Sequence, residues 1–350
     1  MDDLLSKIPV PLLAWYDQNA RVLPWRENPE PYRVWVSEVM LQQTRVEAVK
    51  PYFERFLAEL PTIAALAAAP EAQILKLWQG LGYYNRVRNL QKGAREVLAR
   101  FGGVLPADFD ALLTIPGIGR YTAGAIASIA YSLPVPAVDG NVLRVVSRLQ
   151  NRTDNMQEPR VRREVETSLA AILPQGRAGG FNQSLMELGA TVCMPNGAPH
   201  CACCPLAGLC RAHALGVEQS RPVRPEKKPR RTEERTVFLL TCGKRIALRR
   251  RPEQGLLAGL WELPAIAGRL DADGAMQVPA QWGLCVPSLT PLPEAQHIFT
   301  HLTWHMTAWA GEAETESPVF IWANAEELAH DYTLPSAFKA YFAEIAHRLA

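Results

Sequence analysis

The sequence predicts a multi-domain protein, an all-α domain followed by an α+β domain, and three observations predict it. The chain has 350 residues, more than one hydrophobic core usually holds at roughly 150 residues per domain. Residues 1–217 keep apolar side chains at helical spacing, as in Tyr52 to Leu57 and Glu71 to Gln79, with Pro51, Pro61 and Pro70 as breaks. Residues 218–235 then mix Pro222, Pro225 and Pro229 with Arg221, Arg224, Lys227, Lys228, Arg230, Arg231 and Arg235, which reads as an extended basic linker. Beyond it, in 236–350, the pattern shifts to strands at Thr236 to Thr241, Arg245 to Leu248, His297 to Thr303 and Val319 to Trp322. An amphipathic helix from Ser336 to Leu349 is expected to close the chain.

Composition narrows the class of protein. With 48% hydrophobic and 21% charged residues the chain reads as globular rather than disordered or fibrous. Met1-Asp2-Asp3 is acidic, and Pro9 and Pro11 interrupt the apolar stretch that follows, so no export signal is expected. No apolar run reaches the roughly 18 residues of a membrane span, so no membrane partner is expected. A net charge of +2 permits a polyanionic partner only where basic groups are localised. Five of the seven cysteines lie between Cys193 and Cys210, and clustering without an export signal favours a metal or iron–sulfur site over disulfides. The expected setting is a reducing, cytoplasmic one, at the nucleoid in a bacterium.

Two further patterns carry chemistry. In Leu112 to Ala123 a Pro116-Gly117-Ile118-Gly119 turn separates two helical segments, and its glycines allow positive φ and close backbone approach. The amides opening the following helix make an anion site suited to a DNA phosphate, although taken alone the turn is an ordinary helix–helix connection. Glu38 sits in the apolar run Val34 to Leu41, where desolvation raises a carboxyl pKa. Asp139, in Val138-Asp139-Gly140-Asn141-Val142, opens a helix whose amides favour its ionised form. An acid and an anion with pKa values pushed apart are what hydrolysis of a glycosidic bond requires. Singly, each is more often a solvent-facing glutamate or a plain helix cap.

The strings Leu23-Pro24-Trp25-Arg26 and Ser37-Glu38-Val39-Met40-Leu41-Gln42-Gln43-Thr44, with the hairpin and an aspartate about 20 residues beyond it, resemble MutY-type adenine DNA glycosylases of the helix-hairpin-helix DNA glycosylase superfamily. The resemblance implies an all-α helix-hairpin-helix domain with an iron–sulfur loop and an α+β Nudix-like C-terminal domain. It implies removal of adenine opposite 8-oxoguanine, and more weakly opposite guanine, from double-stranded DNA by a monomer. Glu38 would then protonate the adenine's imidazole-ring nitrogen, and Asp139 would support the sugar cation with help from Tyr121 and Asn141. Related lyases have a lysine where Tyr121 stands, so no strand cleavage is expected. Trp25, Arg26, Leu41 and Glu187 match adenine-pocket positions, Gln43 and Tyr83 match wedges that open the duplex, and Gly117 and Gly119 match the phosphate grip.

The cysteines and the second domain extend the likeness. Cys193, Cys201, Cys204 and Cys210 give C-x7-C-x2-C-x5-C, one residue longer in the first gap than the family's loop, and Asn196-Gly197 offers a turn to absorb it. The resemblance implies a 4Fe–4S cluster on these four, with Cys203 a bystander; four cysteines also suit zinc. Gly255 to Pro264, with Gly259, resembles the Nudix-like domain, and His297 to His301 resembles its loop reading 8-oxoguanine through Phe299, Thr300 and His301. The family usually has serine at Thr300. No Nudix hydrolase box of clustered glutamates appears, which argues against nucleotide hydrolysis.

Overall fold

The computed structural model describes residues 3–223 and 229–350, and the chain clusters in two compact units. The first comprises Met1–Ala69 and Asn85–Glu226, the second Pro70–Tyr84 and Lys227–Ala350. Met1, Asp2 and the linker residues 224–228 lie outside the described residues.

The first unit is helical. Its functional elements are α1 (Pro31–Leu41), α2 (Asn85–Phe101), α3 (Phe109–Leu113), α4 (Arg120–Ala125), α5 (Gly140–Gln150), α6 (Pro159–Ala170) and α7 (Ala178–Thr191). Proline in the first turn starts α1, where the missing N–H costs no hydrogen bond. The helix is buried on nearly every side, with Trp35, Val36 and Met40 wholly covered. Asp139 caps α5 by accepting from the Val142 amide at 2.8 Å, and Asn151 in the left-handed region at φ 52° ends it. Val142, Val146 and Leu149 of α5 pack with Phe181, Leu185 and Leu188 of α7 in one core.

The expected hairpin joins α3 to α4, and a single π turn, Ile126–Ala130, continues α4. The glycines allow positive φ, and one of the two takes it. Gly117 has φ 81° and a Cβ there would meet the Asn89 Cβ at 2.9 Å, whereas Gly119 has φ −90°, which any residue adopts.

The second unit is built on a mixed sheet. Its strands are β1 (Arg231–Cys242), β2 (Arg245–Arg250), β3 (Trp261–Glu262), β4 (Ala265–Ala267), β5 (Thr290–Ile298), β6 (Leu302–Glu312) and β7 (Ile321–Ala323). They run in the order β3-β2-β1-β6-β5, with β4 paired to β1 and β7 to β2. β1 and β6 are parallel, with Arg235 opposite Met306. Apolar layers cover both faces, one containing Trp304, Phe338 and Tyr341 and the other Phe238, Trp309 and Trp322. Helix Glu71–Leu77 belongs to this unit, where Lys76 Nζ donates to the Leu328 carbonyl at 2.8 Å and Gln79 Nε2 to that of Leu334 at 2.9 Å.

Three expectations need correction here. His297 to Thr303 is not one strand: β5 ends at Ile298, β6 starts at Leu302, and the Phe299 amide donates to the Leu302 carbonyl at 2.8 Å to close a turn. β1 starts at Arg231, inside the stretch read as linker, because its parallel register with β6 reaches back to Leu302. The last helix is α only over Phe342–Leu349; Ser336–Tyr341 is a tighter 3₁₀ turn following Pro335.

The crossing of α7 over the π turn depends on Gly179, where a Cβ would lie 2.5 Å from the Ser128 carbonyl oxygen and 2.9 Å from the Ile129 Cα. Both obstacles are backbone. Gly179→Ala therefore lowers the melting temperature, because overpacking of about 1–3 kcal/mol outweighs the gain in helix propensity. A melting temperature at or above that of the parent would show that the crossing has room to shift.

Candidate active site

Helices α1, α4, α5 and α7 of the first unit all contribute to one cleft of about 1290 Å³. Its lining includes Trp25, Arg26, Glu38, Leu41, Gln43, Gly117, Gly119, Tyr121, Asp139, Asn141 and Glu187, so sequence-predicted residues scattered over 160 positions share one wall. Tyr83, Gly259, Phe299, Thr300 and His301 belong to the second unit.

Glu38 is 6% exposed on α1. Burial is the main cause that lifts its carboxyl to about 7; the hydrogen bond from Tyr121 and the charge of Arg26 oppose the lift, while the nearby Asp139 charge adds to it. Near neutrality the group therefore holds its proton about half the time. Tyr121, from α4, donates its hydroxyl to Glu38 Oε2 and lies 3.9 Å from the Met186 sulfur. Burial, then the charges of Glu38 and Asp139, raise the phenol well above its ordinary value, so it acts as a neutral donor.

Asp139 departs from expectation. Its carboxylate accepts from the Val142 amide and, at 2.6 Å, from Asn141 Nδ2, both of which favour the anion. Burial nevertheless dominates, and the pKa is raised rather than lowered. The cap amides limit the shift without reversing it. The approach to this cap is pinned by Asn182, which sequence reasoning missed: it accepts from the Ala137 amide at 3.1 Å and donates to the Val135 carbonyl at 2.8 Å.

Glu187 is the opposite case. It is 1% exposed and accepts from Arg21 Nε at 2.7 Å, Arg21 Nη2 at 3.0 Å and Arg26 Nη2 at 2.8 Å. Burial pushes this carboxyl up, but the two guanidiniums together outweigh burial and hold it below its ordinary value. Arg21 stands 166 residues away in sequence, and no local pattern marks it. Trp25 packs edge-on against Phe53 at 5.5 Å, which fixes the apolar side of the same wall.

Arg144 and Arg148, on successive turns of α5, join this site to the cysteine loop. Arg144 Nη2 donates to Asn141 Oδ1 at 2.8 Å and to the Gly189 carbonyl at 2.7 Å, and its Nε donates to the Cys193 carbonyl at 2.8 Å. Arg148 Nη1 donates to the Cys193 sulfur at 3.1 Å and to the Met194 carbonyl at 2.9 Å. In the loop itself, Gly197 takes φ 74° in the gap between Cys193 and Cys201. Burial, then neighbouring negative charge, pushes the Cys201 thiol up to about 11, and burial pushes Cys204 up to about 12 against an opposing backbone hydrogen bond. Cys193, Cys201, Cys204 and Cys210 lie close enough to feel one another's charge. Among the described residues, the one group of three ligand atoms within 4.8 Å of one another is Cys201, His213 and Glu218. No three of the four cysteines meet that limit, whereas a tetrahedral zinc with bonds of about 2.3 Å holds its sulfurs about 3.8 Å apart. Four grouped thiols are a donor set for a metal ion or an iron–sulfur cluster. Cys203 is exposed and donates to the His200 carbonyl at 3.3 Å.

In the second unit Tyr83, half exposed with φ 48°, shares a hydrogen bond of 2.9 Å with the Thr300 hydroxyl. Phe299 packs between His297 at 4.5 Å and Trp304 at 4.8 Å, which leaves Thr300 and His301 exposed at the turn. Gly259, at φ 65°, donates its amide to the Pro252 carbonyl at 2.9 Å.

Helices bearing two buried carboxylates behind a hairpin define a class, and residues 36–171 match the HhH-GPD superfamily base excision DNA repair proteins, while 236–344 match a NUDIX domain. The chain belongs to the adenine DNA glycosylase family. It is 35% identical to the adenine DNA glycosylase of Rattus norvegicus over 94% of this chain and 77% of that one. It is 38% identical to the adenine DNA glycosylase of Arabidopsis thaliana over 86% of this chain, spanning 57% of that relative's length. Among solved structures, a thermostable thymine-DNA glycosylase superposes with a TM-score of 0.56 at 26% identity, over 61% of this chain and 98% of that one. An endonuclease III trapped as a covalent intermediate with DNA superposes at 0.51 with 27% identity, over 59% and 93%. Among the described residues, no helix is long and apolar enough to cross a membrane.

A carboxyl raised by folding to about 7 favours the fold fully below about 4.5, and that advantage is lost as the pH rises through 7. Glu38→Gln, which never ionises, therefore matches the parent in stability near pH 4 and exceeds it near pH 8, by on the order of 3 kcal/mol. Thermal melts at the two pH values check this. A stabilisation equal at both would mean that Glu38 is not held neutral by burial.

Proposed function

We propose that the chain is a monofunctional DNA glycosylase that hydrolyses adenine from a mispair with 8-oxoguanine, and more slowly from one with guanine. The observation that carries this reading is the pairing of Glu38, a buried acid near neutrality, with the capped Asp139 in one cleft. With adenine extruded into the cleft, Glu38 gives its proton to an imidazole-ring nitrogen of the base. The C1′–N9 bond then breaks and its electron pair leaves with the adenine. Asp139, oriented by Asn141, supports the sugar cation until a water adds to C1′ and releases a proton. Tyr121 donates to one oxygen of Glu38 and so orients the carboxyl, and lacking an amine it forms no Schiff base, so the strand stays intact.

The base is held by Arg26 and Glu187 against Trp25 and Leu41, with Gln43 as one wedge. Arg21 fixes Glu187 as an anion and leaves Arg26 oriented. Amides of the Gly117–Gly119 turn grip a backbone phosphate. In the second unit Tyr83 and the Phe299–His301 turn, together with Gly259, meet the 8-oxoguanine. Thr300 retains the hydroxyl that serine supplies elsewhere in the family. Cys193, Cys201, Cys204 and Cys210, close enough to feel one another's charge, would hold a 4Fe–4S cluster, whose contribution when bound is to fix the loop.

Incubation with a duplex carrying adenine opposite 8-oxoguanine is expected to release adenine, with strand breakage only after alkali. Glu38→Gln abolishes release while retaining binding. Base release slows as the pH rises through about 7, where Glu38 loses its proton, and slows again in acid as Asp139 gains one. Strand cleavage without alkali, or a strong borohydride-trapped adduct, would contradict the role given to Tyr121. The purified protein is also expected to show iron-type visible absorbance with about four irons per chain; bound zinc without iron would overturn the cluster assignment.

A further inference from the structure

Beside Trp304, on which Phe299 packs, three guanidiniums face one buried carboxylate. Glu262 is 2% exposed; Arg249 Nη2 donates to its Oε1 at 3.0 Å and Arg251 Nη1 donates to its Oε2. Arg235 Nη2 stands 3.8 Å from the same carboxylate, beyond hydrogen-bond reach. Its guanidinium lies over the Trp304 ring, 4.2 Å from the centroid, with that of Arg251 at 5.5 Å. Glu233 is the other acid acting on Arg235, and it already accepts from Arg231 Nη2 at 2.5 Å and Trp304 Nε1 at 3.1 Å.

Arg235 is the side chain with donors to spare. It is 16% exposed, and among the described residues no hydrogen bond engages its guanidinium. Arg249 and Arg251 spend further donors on the Ala265 carbonyl at 3.0 Å and the Leu256 carbonyl at 2.9 Å. Burial, then the like charges of Arg251 and Arg249, lower the Arg235 pKa, opposed by Glu262. A fork of N–H donors that is partly open to solvent and set in a field of surplus positive charge presents a planar edge that fits two oxygens of one phosphate. The same Trp304 carries Phe299 on its ring at 4.8 Å, so the fork adjoins the turn assigned to the oxidised base. A nucleotide brought to that turn carries its phosphate with it.

We propose that Arg235, backed by Arg249 and Arg251, is a phosphate-binding site of the second unit, and that its occupant is a backbone phosphate of the strand whose base meets the Phe299–His301 turn. This rests on the duplex binding proposed above.

The test is the salt dependence of binding by the full chain. A duplex with an uncleavable abasic analogue opposite 8-oxoguanine, and one opposite guanine, are titrated by fluorescence anisotropy between 50 and 200 mM salt. Arg235→Met, which keeps the stem over Trp304, is expected to weaken binding to both duplexes alike and to reduce the log–log salt slope by about one. Arg235→Lys restores the slope. If the methionine variant melts early, Arg235→Gln is read on the same slope. An unchanged slope in a folded variant overturns the proposal, as does a loss confined to the 8-oxoguanine duplex, which would make Arg235 a support for the turn. Thermal stabilisation of the parent but not the variant by dGMP, with the DNA slope unchanged, overturns the strand as occupant and assigns the site to a free nucleotide. If the parent itself fails to bind either duplex, it is the reading of the whole chain that falls.

Discussion

A carboxyl group taken out of water with no cation in hydrogen-bond contact is pushed toward its protonated form, and the cleft of the first unit is arranged around that constraint at Glu38. α1 has little choice in placing it: Trp35, Val36 and Met40 bury the helix on its other sides, so the glutamate at the remaining position looks into the cleft. The phenol of Tyr121 satisfies one carboxyl oxygen without supplying charge. Glu187 shows what a different neighbourhood does to the same side chain a short way along the wall. Two guanidiniums, which a phenol cannot replace, outweigh burial there and make it an anion. The site therefore contains one glutamate as acid and one as fixed charge, and the guanidiniums make the difference.

Helix α5 gives the arrangement its stiffness. Its cap is Asp139, its first turn carries Asn141, and its next two turns carry Arg144 and Arg148, which clasp the start of the cysteine loop through the carbonyl and sulfur of Cys193. Gly189 of α7 lies so close to Asn141 that a Cβ would come within 2.6 Å of it. Arg144 and Cys193, 49 residues apart in sequence, are thus held together by a hydrogen bond. The loop need not touch a substrate to affect the anion.

How much of this was legible depended on whether the cause was local. The hairpin, the Asp139 cap and the burial of Glu38 follow from residues within a turn or two of each other, and the sequence shows them. The partners of Glu187 do not, because Arg21 is distant and has no periodic signature. The raised Asp139 pKa was hidden for a related reason. Its cap amides are visible in the local sequence, but the walls that bury it come from elsewhere. His297 to Thr303 resisted reading because Phe299-Thr300-His301 turns the chain without glycine or proline, the residues that usually announce a turn.

The segment Pro70–Tyr84 has a consequence for how such a chain can diverge. It sits in the first half of the sequence, yet it contributes Tyr83 to the turn at Thr300 and anchors Lys76 and Gln79 on carbonyls near the chain's end. Exchange of the carboxy-terminal half between homologous genes at the linker would split that hydrogen-bonded pair between two ancestries. Gene shuffling at the obvious junction is thereby penalised, and the tyrosine and the hydroxyl facing it are bound to change together.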